Sequence, residues 1–147
     1  MKKYALDTNL YINAFRRLEA AEELQSFYAA FAPSTYLSSV VLHELLVGTT
    51  SSSKAKDVHQ QIAAPFRRTR RLFTPSAEAW ALAGEQIAAM ARREKRELRT
   101  LPKSLVNDFL LAASCRESGV ILITHNMADF QSISRYIKVQ FEEPWPV

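Results

Sequence analysis

The chain holds only three glycines in 147 residues. A glycine-rich loop that cradles phosphate is therefore missing. Cys115 is the only cysteine, so no internal disulfide can form. Set in the helical run AASC, it reads as a buried, inert thiol rather than a nucleophile. No apolar run approaches the roughly 20 residues needed to cross a bilayer. The opening MKKYALDTN has two lysines but no apolar core behind them, because Asp7 interrupts it; it does not read as a signal peptide. A cytoplasmic protein with no membrane partner is expected. The three histidines, His43, His59 and His125, lack zinc-type spacing. Internal repeats, low-complexity segments and interdomain linkers are also missing.

What is present is the composition of a soluble globular protein, 48% apolar and 23% charged. The length predicts one domain over residues 1–147. The net charge of +4 conceals an asymmetry. Residues 54–103 carry 12 Lys/Arg against 5 Asp/Glu, and the rest carries 7 against 10. The cations gather in two clusters: Arg67, Arg68, Arg70 and Arg71, then Arg92, Arg93, Lys95 and Arg96. They read either as solvated helix ends, where cations suit the helix dipole, or as a positive surface for a polyanion such as RNA.

The stretch from Val106 to Phe130 is the most legible. Pro102 and Ser104 suit a helix start and Gly119 its end. Val120–Ile123 is unbroken and mostly β-branched, as expected of a parallel strand covered on both faces. Further strands are expected at Tyr4–Leu6, Thr35–Ser38, Arg71–Thr74 and Ile137–Phe141, with an irregular tail from Glu142. Helices are expected over Leu10–Phe15, Ala20–Phe31 (broken at Pro33), Val40–Val47 (capped by Ser38 or Ser39 and stopped by Gly48) and Lys54–Phe66. A long helix capped by Ser76 should place Trp80, Ala83, Ile87 and Met90 on one face, with Trp80 in the core. Strands alternating with helices argue for an α/β fold with a mainly parallel sheet.

Four acids stand where such a sheet would bring them together. Each has an ordinary reading. Asp7 could cap the helix after the first strand. Asp108 falls in what reads as a helix's first turn, favoured by the dipole. Asn126 and Asp129 are spaced like a capping box. Glu44 resists this treatment, because Val40–Leu42 and Leu45–Val47 enclose it in apolar sequence. A carboxylate buried there without a partner would be costly. All four can converge at the carboxyl edge of one sheet, where α/β folds bind ligands. Such a cluster repels itself without a cation, and hard oxygen ligands select Mg²⁺ or Mn²⁺.

LDTN at Leu6–Asn9, the S-x-V-x-x-x-E-L-x-x-G pattern at Ser38–Gly48, NDFLLAAS at Asn107–Ser114 and T-x-N-x-x-D-F at Thr124–Phe130 resemble, in order, the four acidic motifs of PIN-domain ribonucleases. The resemblance covers nearly the whole chain and is nearest to VapC toxins of toxin–antitoxin pairs. It implies a PIN-like three-layer α/β/α sandwich with sheet order 3-2-1-4-5. It also implies Asp7, Glu44, Asp108 and Asp129 as catalytic and metal-site residues, with Thr8, Asn9, Thr124 and Asn126 as supporting hydrogen-bonders. A cognate antitoxin and homodimerisation are implied as partners. The expected activity is metal-dependent endoribonuclease cleavage of RNA phosphodiesters. A histidine ribonuclease acting through the 2′-hydroxyl would need a His pair that the sequence does not offer. A Mg-dependent phosphatase would want a second Asp where Asn9 stands. A module that binds RNA or protein with an idle acidic site is the non-enzyme alternative.

Overall fold

The computed structural model describes residues 1–146. The chain begins with β1 (Lys3–Leu6), α1 (Thr8–Arg16) and α2 (Leu18–Phe31). A single 3₁₀ turn containing Pro33 ends α2 and leads to β2 (Thr35–Ser38). Then come α3 (Ser39–Val47) and α4 (Ser52–Asp57), which continues through a π-helical segment (Val58–Ala63) into α5 (Ala64–Arg68). β3 (Leu72–Phe73), α6 (Ala77–Arg93), α7 (Lys103–Ser118), β4 (Val120–Ile123), α8 (Met127–Ile133) and β5 (Phe141–Glu142) complete the described chain.

The five strands form one parallel sheet in the order β3-β2-β1-β4-β5. Helices lie on both faces. The order reverses between β1 and β4, which pair over Lys3–Leu6 and Val120–Ile123. All four β4 residues are buried, as the unbroken apolar run predicts. Asp7 continues the ladder by donating its backbone N–H to the carbonyl of Ile123 at 2.9 Å.

The helix ends follow local chemistry. The Ser38 hydroxyl accepts from the Val40 amide, and the Ser76 hydroxyl from the Ala79 amide; a cap of this kind contributes about 1 kcal/mol. Gly119 takes φ +65°, the left-handed conformation that closes α7 without a Cβ clash. From Asp108 to Cys115, α7 is buried without interruption. Burial also pushes the Cys115 thiol well above its ordinary range, as expected of an inert side chain.

Several expectations need correction. Asp108 is the sixth residue of α7, and the first turn holds no acid, so no cap or dipole role accounts for it. Asn126 precedes α8 without a side-chain cap bond, so the capping box does not form. The last strand is Phe141–Glu142 rather than Ile137–Phe141; Ile137 is buried from a loop instead of from the ladder. The tail is tied down at Trp145, whose indole packs on Phe27 and donates to Glu23 at 3.0 Å. Trp80 is 61% exposed, while Ala79, Ala83 and Met90 face the core. The buried line of α6 therefore runs one position earlier at its start. No helix among the described residues is long and apolar enough to cross a membrane.

Candidate active site

Asp7 ends β1 and also caps α1, so its ordinary and functional readings coincide. One carboxylate oxygen accepts from the Thr8 amide at 2.8 Å, and the other from the Thr124 hydroxyl at 2.7 Å. The side chain is only 3% exposed. Burial raises its pKa, and the two hydrogen bonds and the nearby His125 pull against that rise. Thr124, at the end of β4, also accepts from the Asn126 amide at 2.9 Å. One hydroxyl thus joins β1, β4 and the start of α8.

Glu44, on the sixth position of α3, accepts from the Thr8 hydroxyl at 2.9 Å. It is half-buried, and its pKa is raised, first by burial and also by Asp7, against the Thr8 bond and the nearby Asn107 and His43. Asp108 approaches from α7. Burial, followed by repulsion from Asp7, Glu44 and Asp129, lifts its carboxyl to about 8. Asp129, in the first turn of α8, is exposed at the rim. The four acids are thus brought into one electrostatic neighbourhood by β1, α3, α7 and α8. Among the described residues the ion pairs are Arg96–Glu94 and Arg99–Glu97, and no Lys or Arg is paired with any of the four.

The supporting residues divide. Thr8 and Thr124 make the bonds just given. Asn126 contributes its backbone amide. Asn9 is exposed and makes no side-chain hydrogen bond among the described residues. Asn107 was not singled out from the sequence, although it directly precedes Asp108 in the NDFLLAAS run. Its amide lowers the Glu44 pKa, and a short polar side chain beside a buried acid was the available signal.

The two basic clusters also divide. Arg67 and Arg68 close α5, and the Arg71 carbonyl accepts from the Leu37 amide. Arg67, Arg68, Arg70 and Arg71 therefore precede β3 on the amino side of a parallel sheet, away from the acids. Arg92 and Arg93 close α6, with Lys95 and Arg96 just beyond. α6 runs antiparallel to α7, because its first turn is held by Glu117 near the α7 C-terminus. Its far end meets Tyr136, which donates to Glu94 and lies 6.2 Å, ring to ring, from Phe109. Arg92, Arg93, Lys95 and Arg96 thus share the end of α7 that carries Asp108.

A hard divalent cation fits this donor set. Three carboxylates raised chiefly by burial, Asp108 also by the other acids, with no paired Lys or Arg among the described residues, are what such an ion relieves. Among the described residues, no three acidic, imidazole or thiol side chains already stand as a ligand set. Asp7 and Glu44 are held by Thr8 and Thr124.

The family model of the PIN domain matches residues 4–136. No curated protein matches the sequence. Among solved structures, the chain is similar to a chain of DNA-bound VapBC from Salmonella typhimurium, at 21% identity and a TM-score of 0.69, covering 97% of this chain and 98% of that one. It is also similar to a chain of VapBC2 from Rickettsia felis bound to a promoter DNA fragment, at 21% identity and TM-score 0.62, covering 97% and 98%. A chain of FitAcB from Neisseria gonorrhoeae matches at 18% identity and TM-score 0.64, covering 98% and 99%. At these identities the likeness speaks for the fold.

Proposed function

The chain belongs to the PIN domain family, and we propose that it is a metal-dependent endoribonuclease, the toxin of a toxin–antitoxin pair, working in the cytoplasm. The observation that carries this reading is the convergence of Asp7, Glu44 and Asp108 at the reversal point of the sheet, each raised first by burial and Asp108 further by the other acids, with no Lys or Arg paired to them among the described residues. Asp7, Glu44, Asp108 and Asp129 would hold one or two Mg²⁺ or Mn²⁺ ions. Such an ion lowers the pKa of a bound water and neutralises charge developing on a phosphoryl oxygen. The chain's own contribution is to fix the acids. Thr8 bonds Glu44 while its amide bonds Asp7, and Thr124 holds the other Asp7 oxygen, so the cluster presents one orientation. Arg92, Arg93, Lys95 and Arg96 supply positive charge at the same end of α7 for the RNA backbone. Hydrolysis of this kind leaves 5′-phosphate and 3′-hydroxyl ends.

An antitoxin partner and a second copy of the chain belong to the same reading. The antitoxin is supported by the similarity to a chain of a toxin–antitoxin complex from Klebsiella pneumoniae, at 22% identity and a TM-score of 0.54. The test is cleavage of RNA by the purified protein with Mn²⁺ or Mg²⁺, and again in excess chelator. Cleavage should require the metal and disappear in the Asp108→Asn variant. Full activity in chelator would sink the metal mechanism, and no cleavage under any condition would leave the binding module with an idle site.

A further inference from the structure

The acidic cluster opens at Glu44 into a groove of about 510 Å³. The groove follows α1 between the C-terminal end of α3 and the length of α4. Thr8, Ile12 and Phe15 recur along α1 at helical spacing and share one face. Thr8 bonds Glu44, and Ile12 and Phe15 line the groove. At ~1.5 Å per residue, Phe15 lies about 10 Å along the helix from Thr8. Phe15 is 55% exposed. A single exposed aromatic is ordinary on a protein surface; its place on the wall of a groove leading out of an acid cluster is not.

Arg16 and Lys54 line the same groove, and neither is in an ion pair among the described residues. Asp57, one turn along α4 from Lys54, lines it too. The wall therefore carries balanced rather than strongly positive charge. A polyanion held here would gain more from the ring than from phosphate neutralisation.

We propose that this groove is a nucleotide subsite: single-stranded RNA beside the scissile bond lays one base on the Phe15 ring, with Arg16 and Lys54 at the neighbouring phosphates. The inference rests on the ribonuclease reading and names where that substrate lies. A base is free to stack on a side chain only when it is not stacked within a duplex, so the occupant is an unpaired segment, and stacking on an aromatic tolerates any base. Specificity then comes from elsewhere on the surface, and the subsite fixes the strand relative to the acids.

The test uses the full chain carrying Asp108→Asn, so that RNA survives, and measures binding of a short labelled single-stranded RNA of mixed sequence by anisotropy. Phe15→Ala should weaken binding by about tenfold, whereas Phe15→Trp should hold or tighten it. The same RNA as a duplex should not respond to either change. Arg16→Gln and Lys54→Gln should each lower the salt slope by about 0.7. In the protein with Asp108 intact, Phe15→Ala should raise KM for cleavage more than it lowers kcat. Unchanged affinity in Phe15→Ala, or a Phe15→Trp protein as weak as Phe15→Ala, overturns the subsite. If the Asp108 protein still cleaves in that event, the nuclease reading stands alone. If it neither binds nor cleaves RNA, both fall, and the shift of its melting temperature with Mn²⁺ reports whether the metal site survives.

Discussion

Asp108 sits beyond the first turn of α7, buried and facing three other acids. Removing a helix cap lowers stability by about 1 kcal/mol. Removing one of two carboxylates ~5 Å apart relieves roughly 3 kcal/mol of repulsion at an effective dielectric of ~20, less what protonation already relieves. At neutral pH the folded Asp108 already holds its proton, so what asparagine removes is chiefly the cost of keeping that buried carboxyl protonated. Asp108→Asn should therefore leave the metal-free melting temperature unchanged or higher at neutral pH, while abolishing cleavage. Mn²⁺ should stabilise the unmodified protein more than the variant, since a ligand of the folded state stabilises it by mass action. Paired melting curves with and without Mn²⁺ decide this; a clearly lower metal-free value for the variant would refute the site role. Thr8 behaves in the opposite way. Its hydroxyl is the donor that keeps Glu44 in place, and valine matches its shape without the donor. Thr8→Val should cost about 1 kcal/mol, because Glu44 is half-buried and water can answer part of the loss. Chemical denaturation measures that cost. Cleavage should fall by more than the stability change explains, because an unanchored Glu44 no longer meets the other acids.

At the scale of elements, the two arginine clusters make separable predictions. The cluster before β3 lies on the amino side of the sheet, whereas the one after α6 shares the Asp108 end of α7. Reversing Arg92 and Arg93 to glutamate should weaken RNA binding and flatten its salt dependence. Reversing Arg67 and Arg68 should leave both close to their original values. Titrations at two salt concentrations compare the pairs, and equal effects would show that position along the sheet does not matter. Sequence pattern could place the helices and the central strands because β1, β2 and β4 are short segments that each meet a polar residue at the carboxyl end, Asp7, Ser38 and Thr124. It could not separate the clusters, because RRTRR and RREKRELR look alike until the parallel pairing of β2 with β3 assigns them ends. Nor could it place β5. Ile137 is as buried as any strand residue, but its backbone donates to Ile133 within a turn, and apolar character alone does not distinguish the two. Trp80 misled for a related reason: the small Ala79 takes the core position next to it, and a stripe of large residues hides a stripe of small ones. The four acids could be marked in the sequence because Asp7 follows β1 and Glu44, Asp108 and Asp129 lie in legible helices. Thr8 and Thr124 were readable as supporting hydrogen-bonders only through the family resemblance, because their partners lie 36 and 117 residues away.

For the molecule as a whole, stability depends on the protons held at the site. The Asp108 carboxyl rises from an ordinary 3.8 to about 8, chiefly through burial and then through Asp7, Glu44 and Asp129. In this window the folded protein keeps a proton that the unfolded chain has already released. Its contribution is present below the unfolded value and is lost as pH climbs through the folded one. Metal-free protein should therefore become less stable from about pH 4 to pH 8 at this site, and Asp108→Asn should remove that slope. Mn²⁺ must displace the proton, so its binding should release one and tighten with pH across the same range. Calorimetry in buffers of different ionisation enthalpy counts the proton; a metal titration that releases none would contradict the assignment. The bond from Thr124 to Asp7 spans 117 residues of sequence, and β1 lies between β2 and β4 in the sheet. During synthesis the first strand must therefore wait for β4 before its pairing is complete, and Asp7 waits with it. A chain still being translated holds at most part of the site. On the proposed function, the ribosome making this protein is not exposed to a working nuclease until nearly all of the domain has emerged.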